Sequence, residues 1–390
     1  MYFPERFSHL PAHPFVRLRA LLDHHQPGGD VLHMTIGEPA HAFPPMVMNL
    51  ISRHAVGFNC YPPNAGAPEL LNAIADWVSR RYAVTLDAQS NLMALNGTRE
   101  GLFNCCVALC PEDKGGRPVV LVPNPFYPVY AIAAAAVGAE AVFLPAVRSN
   151  GYLPDYSAVS GSILNRTAIA YICSPSNPHG SVATTDYWCN LLELAEHYDF
   201  YVFADECYAE IYRNMPPPGV LHAVKRTGVD PDRVVAFHSL SKRSNLPGLR
   251  SGFAASGSAT ITALKQLRTY CGAPLPGPLQ LAAAEIWAEE THVEENRIRY
   301  REKFTIAGDI LGNVDGFRLP EAGFFLWLPV KDGEATALAL WQSSGVRVLP
   351  GSYFARDGAG GNPGAGYIRV ALVADRDDVA RGLAEIRHHI

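Results

Sequence analysis

Apolar positions along the chain change period several times, and the changes divide it. Over about 66–82, the run APELLNAIADWVSRRY has apolar side chains at 70, 71, 74, 77 and 78. That spacing predicts an amphipathic helix. Short apolar runs of β type then follow at 118–122 (PVVLV), 141–145 (AVFLP), 167–173 (TAIAYIC), 200–204 (FYVFA) and 233–238 (RVVAFH). Helical or mixed stretches such as 126–137 and 184–198 separate them. Alternation of this kind predicts a mostly parallel sheet covered by helices on both faces.

The flanks differ. Residues 1–45 are rich in Pro and His, with one short helical stretch near 15–24. Residues 285–311 read as one long, charge-laced helix. The runs FRLPEAGFFLWLPV, GVRVLP and GYIRVALV then predict a smaller α+β domain. The expected division is a segment 1–45 that joins the small domain, a large domain 46–284 and a C-terminal small domain 285–390. The Gly-rich stretch 358–366 contains Pro363 and does not run from a strand into a helix, so it reads as a loop rather than a dinucleotide turn.

Composition narrows the function classes. Hydrophobic residues make up 48% and charged residues 18% of 390, enough for a large core. A formal net charge of −5 argues against a protein built to hold nucleic acid. The longest uncharged stretch, 118–139, is interrupted by Pro123, Pro125 and Pro128, so no membrane span is expected. The first residues have no apolar stretch of the secretory type, and the expected location is the cytoplasm. The eight cysteines form no C-x-x-C pair and no His pair has zinc spacing, so no metal site is expected.

In an open parallel sheet, ligands bind beyond the carboxyl ends of the strands. Four of the predicted strands are followed there by PNPFYP, SPSNPHG, Asp205-Glu206-Cys207-Tyr208 and Ser239-Leu240-Ser241-Lys242. Lys242 follows an apolar strand, with Arg243 beside it and Arg250 eight positions on. Adjacent cations and desolvation lower a lysine pKa and make it nucleophilic. The other five lysines lie in charged turns or on charged helices. Asp205 suits a proton held on a ring nitrogen, with Tyr208 close by. Gly97-Thr98-Arg99 opens a helix, a place where free N–H groups donate to a phosphate. Tyr127 could stack on an aromatic ligand. A lysine nucleophile, a carboxylate and an anion site together match the needs of pyridoxal 5′-phosphate.

Ser239-Leu240-Ser241-Lys242 with Arg250, Asn177-Pro178-His179-Gly180, Asp205-Glu206-Cys207-Tyr208, Tyr61-Pro62-Pro63-Asn64-Ala65-Gly66, Ile36-Gly37-Glu38-Pro39 and Tyr367-Ile368-Arg369-Val370 resemble, taken in the order of the chain, the motifs of fold-type I pyridoxal-phosphate aminotransferases of class I/II. The resemblance spans essentially the whole chain. It implies a large domain with a mostly parallel sheet between helices and a smaller α+β domain. It implies that Lys242 is the cofactor-linked lysine and proton carrier, that Asp205 pairs with the ring nitrogen, and that Tyr208 and Asn177 hydrogen-bond the ring oxygen. Thr98, Arg99, Ser239, Ser241 and Arg250 would bind the phosphate, and Tyr127 would stack on the ring. Arg369 would clamp the substrate carboxylate beside Gly37. Tyr61 would reach the phosphate of a neighbouring subunit, which implies a homodimer with shared sites. His179 departs from the Thr common at that place.

A narrower resemblance is to proteobacterial succinyldiaminopimelate aminotransferases, carried by Leu240–Phe253, Pro123–Pro128, Glu206–Tyr212, Leu349–Tyr353 and His13–Arg19. It implies amino transfer between N-succinyl-LL-2,6-diaminopimelate and 2-oxoglutarate in lysine biosynthesis. Aspartate, aromatic or N-acetylornithine transamination, and a C–S β-lyase activity, stay open beside it. Arg17, Arg19, Arg99, Arg243 and Arg268 are the candidates to meet a distal carboxylate.

Overall fold

A computed structural model describes residues 5–8 and 10–390. Seven strands form the main sheet: β2 (Leu92–Leu95), β3 (Val119–Asn124), β4 (Glu140–Pro145), β5 (Thr167–Cys173), β6 (Tyr201–Asp205), β7 (Val234–Ser239) and β8 (Gly252–Ala255). Their order is β2-β8-β7-β6-β5-β3-β4. β8 runs antiparallel to both of its neighbours, and the other pairings are parallel.

The central strands are buried almost along their whole length because both faces of the sheet are covered. Alternate residues of β5 serve different cores, as strand geometry requires. Ala170 and Ile172 join the cluster that holds Trp77, Trp188 and Trp287. Ile169 and Tyr171 join the one that holds Tyr130, Leu102 and Ile261.

A second sheet is antiparallel, in the order β11 (Leu349–Pro350), β12 (Tyr367–Ala371), β9 (Phe325–Pro329). Nearby, β1 (Leu32–His33) pairs in parallel with β10 (Val346–Arg347). Met34 then accepts from Ala371 N, and Leu32 and Met34 pack with Phe324, Ile368 and Val379. Residues 32–37 are thereby laid along β12, which aims them at the edge of the main sheet. No described helix is long and apolar enough to cross a membrane.

Two features differ from the pattern-based expectation. β2 and β8 have only four residues each, with the sequences LMAL and GFAA, and lack the β-branched runs that mark a strand. The stretch 285–311 is not one helix. One helix ends at Ala288 and another begins at Thr291. The break is stabilised from both sides. The Glu289 carboxylate accepts from Thr291 N (2.6 Å) and His292 N (3.1 Å), and the Arg243 guanidinium donates to the carbonyls of Ile286, Trp287 and Glu289. These are the groups a helix terminus leaves without partners.

Candidate active site

β3, β5, β6 and β7 are adjacent and parallel, so their carboxyl ends share one edge. β7 ends at Ser239, whose hydroxyl caps the turn Leu240–Arg243 by accepting from Ser241 N at 3.0 Å. That turn presents Lys242, which is half-buried and donates from Nζ to the carbonyl of Gly37. Burial pulls its pKa below the ordinary lysine value. Cys207 and Glu38 oppose that shift, while Arg369 and Arg250 add to it. The neighbouring Arg243 is therefore not the activating cation expected from its position in sequence. It faces the helix break instead, where Glu290 accepts from it at 2.8 Å.

Asp205 is the last residue of β6 and is buried. Its Oδ2 accepts from Tyr130 Oη at 2.8 Å and its Oδ1 from Cys207 N at 3.3 Å. Burial raises its pKa, and these hydrogen bonds pull the other way. Tyr208 is buried with its ring edge-on to Phe324 (5.3 Å) and Phe325 (5.9 Å). Burial raises its phenol well above the ordinary value, so it stays protonated and able to donate.

One end of the site is an anion cradle. Gly97 caps the helix Thr98–Leu109 at φ +79°, and a Cβ there would overlap the Arg250 guanidinium. Arg250 is itself held at φ +61°, and donates to Pro247 O (2.8 Å) and Asn96 O (3.1 Å). The hydroxyls of Ser239 and Ser241 are 2.9 Å apart beside it. Arg99 is directed elsewhere and donates from Nε to Tyr127 Oη at 2.7 Å.

The other end is built on β12. Arg369 is 3% exposed and lies between the rings of Phe325 (4.1 Å) and Phe354 (4.2 Å). It donates to Asn177 Oδ1 at 2.9 Å and to Thr35 O at 2.6 Å, and its Nε has no partner among the described residues. Burial lowers its pKa to about 9 against the pull of Tyr208, and it makes no ion pair among the described residues. A buried guanidinium served by neutral oxygens alone is an unfinished anion site. Gly37 leaves room for it, because a Cβ there would overlap the Phe325 ring.

Twelve of the thirteen candidate residues line one cavity of about 450 Å³; Tyr61 does not. Tyr61 is 103% exposed, on a surface segment with exposed Val56 and Phe58. Of the distal arginine candidates, Arg99 lines the cavity. Arg17 pairs with Glu334 and stacks on Tyr353, and Arg19 is exposed. Arg243 and Arg268 are buried in ion pairs with Glu290 and Glu100 and do not line the cavity. Tyr130, Phe325 and Phe354 were not singled out from sequence. Tyr130 had a weak signal, as an aromatic in the first turn after a strand at the ligand edge; Phe354 had none.

The sequence pattern of the family described as "Aminotransferase class I and II" matches residues 29–386. The chain is 30% identical over 398 residues to an LL-diaminopimelate aminotransferase of Dehalococcoides mccartyi, covering 99% of this chain and 98% of that one. It is 31% identical to another of that description from Desulforudis audaxviator, covering 98% and 96%. Among solved structures it resembles an aminotransferase from Neisseria meningitidis (TM-score 0.94, 37% identity, 98% and 99% covered). It also resembles the aminotransferase AspB from Helicobacter pylori (TM-score 0.91, 32% identity, 97% and 98% covered).

Proposed function

Because the chain belongs to the class I and II aminotransferase family, which depends on pyridoxal 5′-phosphate, we propose that it moves an amino group between N-succinyl-LL-2,6-diaminopimelate and 2-oxoglutarate. The observation that carries amino transfer is the convergence of Lys242, Asp205, the Gly97–Arg250 cradle and Arg369 on one cavity. Those residues fit the cofactor. The cradle offers helix N–H groups, two hydroxyls and a guanidinium to a phosphate. Asp205, buried and in no ion pair among the described residues, suits a protonated ring nitrogen, and Tyr127 and Asn177 stand on the walls between. When bound, the cofactor supplies an aldehyde carbon for the amino group and a ring that accepts the electron pair left when the α-proton departs.

The chain's own groups do the rest. The lowered pKa of Lys242 favours the free amine that takes the α-proton and returns it. Tyr130 and the Cys207 amide hold Asp205 in place. Arg369 fixes the α-carboxylate with a planar pair of N–H groups, which orients the α-hydrogen towards Lys242.

The substrate reading rests on charge. His13, on the cavity wall, is held below the ordinary histidine value by burial, Arg99 and Arg19. The positive potential that Arg99 and Arg19 impose at this wall favours a distal end with two carboxylates and no ammonium, as N-succinylation produces. The names of the curated relatives, together with Glu38 on the wall, support a second reading, free LL-diaminopimelate, whose distal end keeps its ammonium. Steady-state kinetics with both compounds, N-acetylornithine, aspartate and aromatic amino acids, each with 2-oxoglutarate, decide between them. The highest kcat/KM is expected for the succinylated donor. A preference for free diaminopimelate establishes the second reading, and a preference for aspartate rejects both. The exposed strip Val56, Phe58 and Tyr61 supports a homodimer in which Tyr61 reaches the partner's cradle. Sedimentation at twice the 42.4 kDa chain mass is expected.

A further inference from the structure

Two hydrogen bonds tie Lys242 to residues outside its own turn, and both lead to one stretch of chain. Its Nζ donates to Gly37 O. Its own carbonyl accepts from Asn296 Nδ2 at 3.3 Å. Asn296 Oδ1 stands 3.1 Å from His41 Nδ1, and His41 Nε2 stands 2.7 Å from Lys303 Nζ. Gly37 and His41 are four residues apart on one segment. Asn296 and Lys303 are seven apart on the helix Thr291–Leu311, which puts them on one face.

The charged end fixes the direction of every bond. An ammonium can only donate, so His41 Nε2 accepts from Lys303. The neutral ring then carries its hydrogen on Nδ1 and donates to Asn296 Oδ1. That leaves the Asn296 amide nitrogen to donate to Lys242 O. Lys303 is 2% exposed and makes no ion pair among the described residues; its other partner is Val373 O at 3.3 Å. Burial holds both Lys303 and His41 below their ordinary values, in keeping with a neutral ring at pH 7. An aromatic line runs beside the chain. His41 lies 5.0 Å from Tyr300, Tyr300 stacks on Phe324 at 5.4 Å, and Phe324 lies 5.5 Å from Lys242 Nζ.

We infer that Lys303, His41 and Asn296 are positioning residues that hold the backbone of Lys242 and the Gly37 loop in register with each other. The Nζ–Gly37 bond is given up whenever Nζ is engaged in chemistry. The Asn296 bond uses only the carbonyl, so it persists and returns the amine to the same seat. None of the three touches substrate. This inference rests on the reading of Lys242 given above.

The test uses the cofactor-loaded enzyme and the variants His41→Phe, His41→Gln, Asn296→Ala and Lys303→Met. Borohydride trapping in the wild-type protein comes first. A label at Lys242 upholds the reading of the site, and its absence overturns that reading and this inference together. Given the label, His41→Phe and Asn296→Ala are expected to lower kcat per bound cofactor by about 10- to 100-fold. KM for the donor should stay within about threefold. The pH midpoint of the bound cofactor's visible absorption should move by about half a unit or more. His41→Gln, whose amide can accept from Lys303 and donate to Asn296, should recover most of the loss. If kcat per bound cofactor and the absorption midpoint are unchanged in His41→Phe and Asn296→Ala, the inference fails, even where Tm falls. If His41→Gln is no better than His41→Phe, the assigned bond directions fail.

Discussion

Buried cations in this molecule fall into two groups. Around Glu210, Arg81 donates to Oε1 at 2.7 Å and Arg297 to Oε2 at 3.0 Å, while Arg243 reaches Glu290. Charge is balanced there within the chain. Glu210 keeps a pKa below the ordinary value despite its burial, because Arg81, Arg243 and Arg297 face it. Arg369 and Lys303 are as deeply buried but are served by neutral groups alone. The first arrangement is closed and supports the fold. The second leaves a charge unbalanced, and Arg369, which opens onto the cavity, can balance it only with a visiting anion. Lys303 does not line that cavity, so it serves the interior instead.

Removing the balancing carboxylate is the harshest test of the closed group. Glu210→Ala leaves the buried Arg81 guanidinium without its carboxylate and Arg297 with Glu294 alone, and should cost about 3–5 kcal/mol of stability, read from urea midpoints. The molecules that remain folded should turn over normally; a loss of turnover with stability intact would put Glu210 in the wrong group. Arg369→Ala should do the reverse. We expect kcat/KM for α-amino acid donors to fall by about 10²–10³-fold, with Tm held or raised, since an uncompensated charge is gone. A Tm drop like that of Glu210→Ala would erase the distinction.

Lys303 sharpens the comparison through pH. Burial lowers its pKa from 10.5 to about 8 in the folded state. Between those values the unfolded chain holds more of the proton, so native stability should rise with pH across about 8 to 10.5 relative to Lys303→Met. The rise approaches about 3 kcal/mol at the upper limit, and below pH 8 the difference between the two proteins is constant. Urea midpoints at pH 7.5, 9 and 10.5 for both proteins read it out, and a flat difference would contradict the assignment. The smallest effect is expected at Tyr130. Tyr130→Phe removes one donor from a buried carboxylate and should cost about tenfold in kcat, or about 1.4 kcal/mol. Unaltered kinetics would show that Asp205 needs no such support.

What the chain discloses before folding follows from where its chemistry sits. Lys242, Asp205, Asn177 and Tyr127 each follow directly on an apolar run, so the rule about strand ends locates them, and the order β7-β6-β5-β3 makes them neighbours. The five longer strands announce themselves by apolar runs, whereas β2 and β8 are too short and too rich in small residues to do so. The closed and open groups of cations look alike in sequence. Arg243 sits beside Lys242 in the chain yet points to a helix break, and Arg369 acts on Lys242 from 127 positions away. Adjacency along the chain says nothing about direction in space, so the partners of a guanidinium stay hidden until the chain folds.

The proposed grip on a substrate carboxylate draws on Thr35, Asn177 and Arg369, three points spread across the chain. During synthesis on the ribosome, the residues of the cradle and the lysine emerge well before Arg369. A nascent polypeptide that has exposed residue 250 but not residue 369 lacks the guanidinium that would orient an amino acid. Acid recognition is therefore the last part of the site whose residues leave the ribosome.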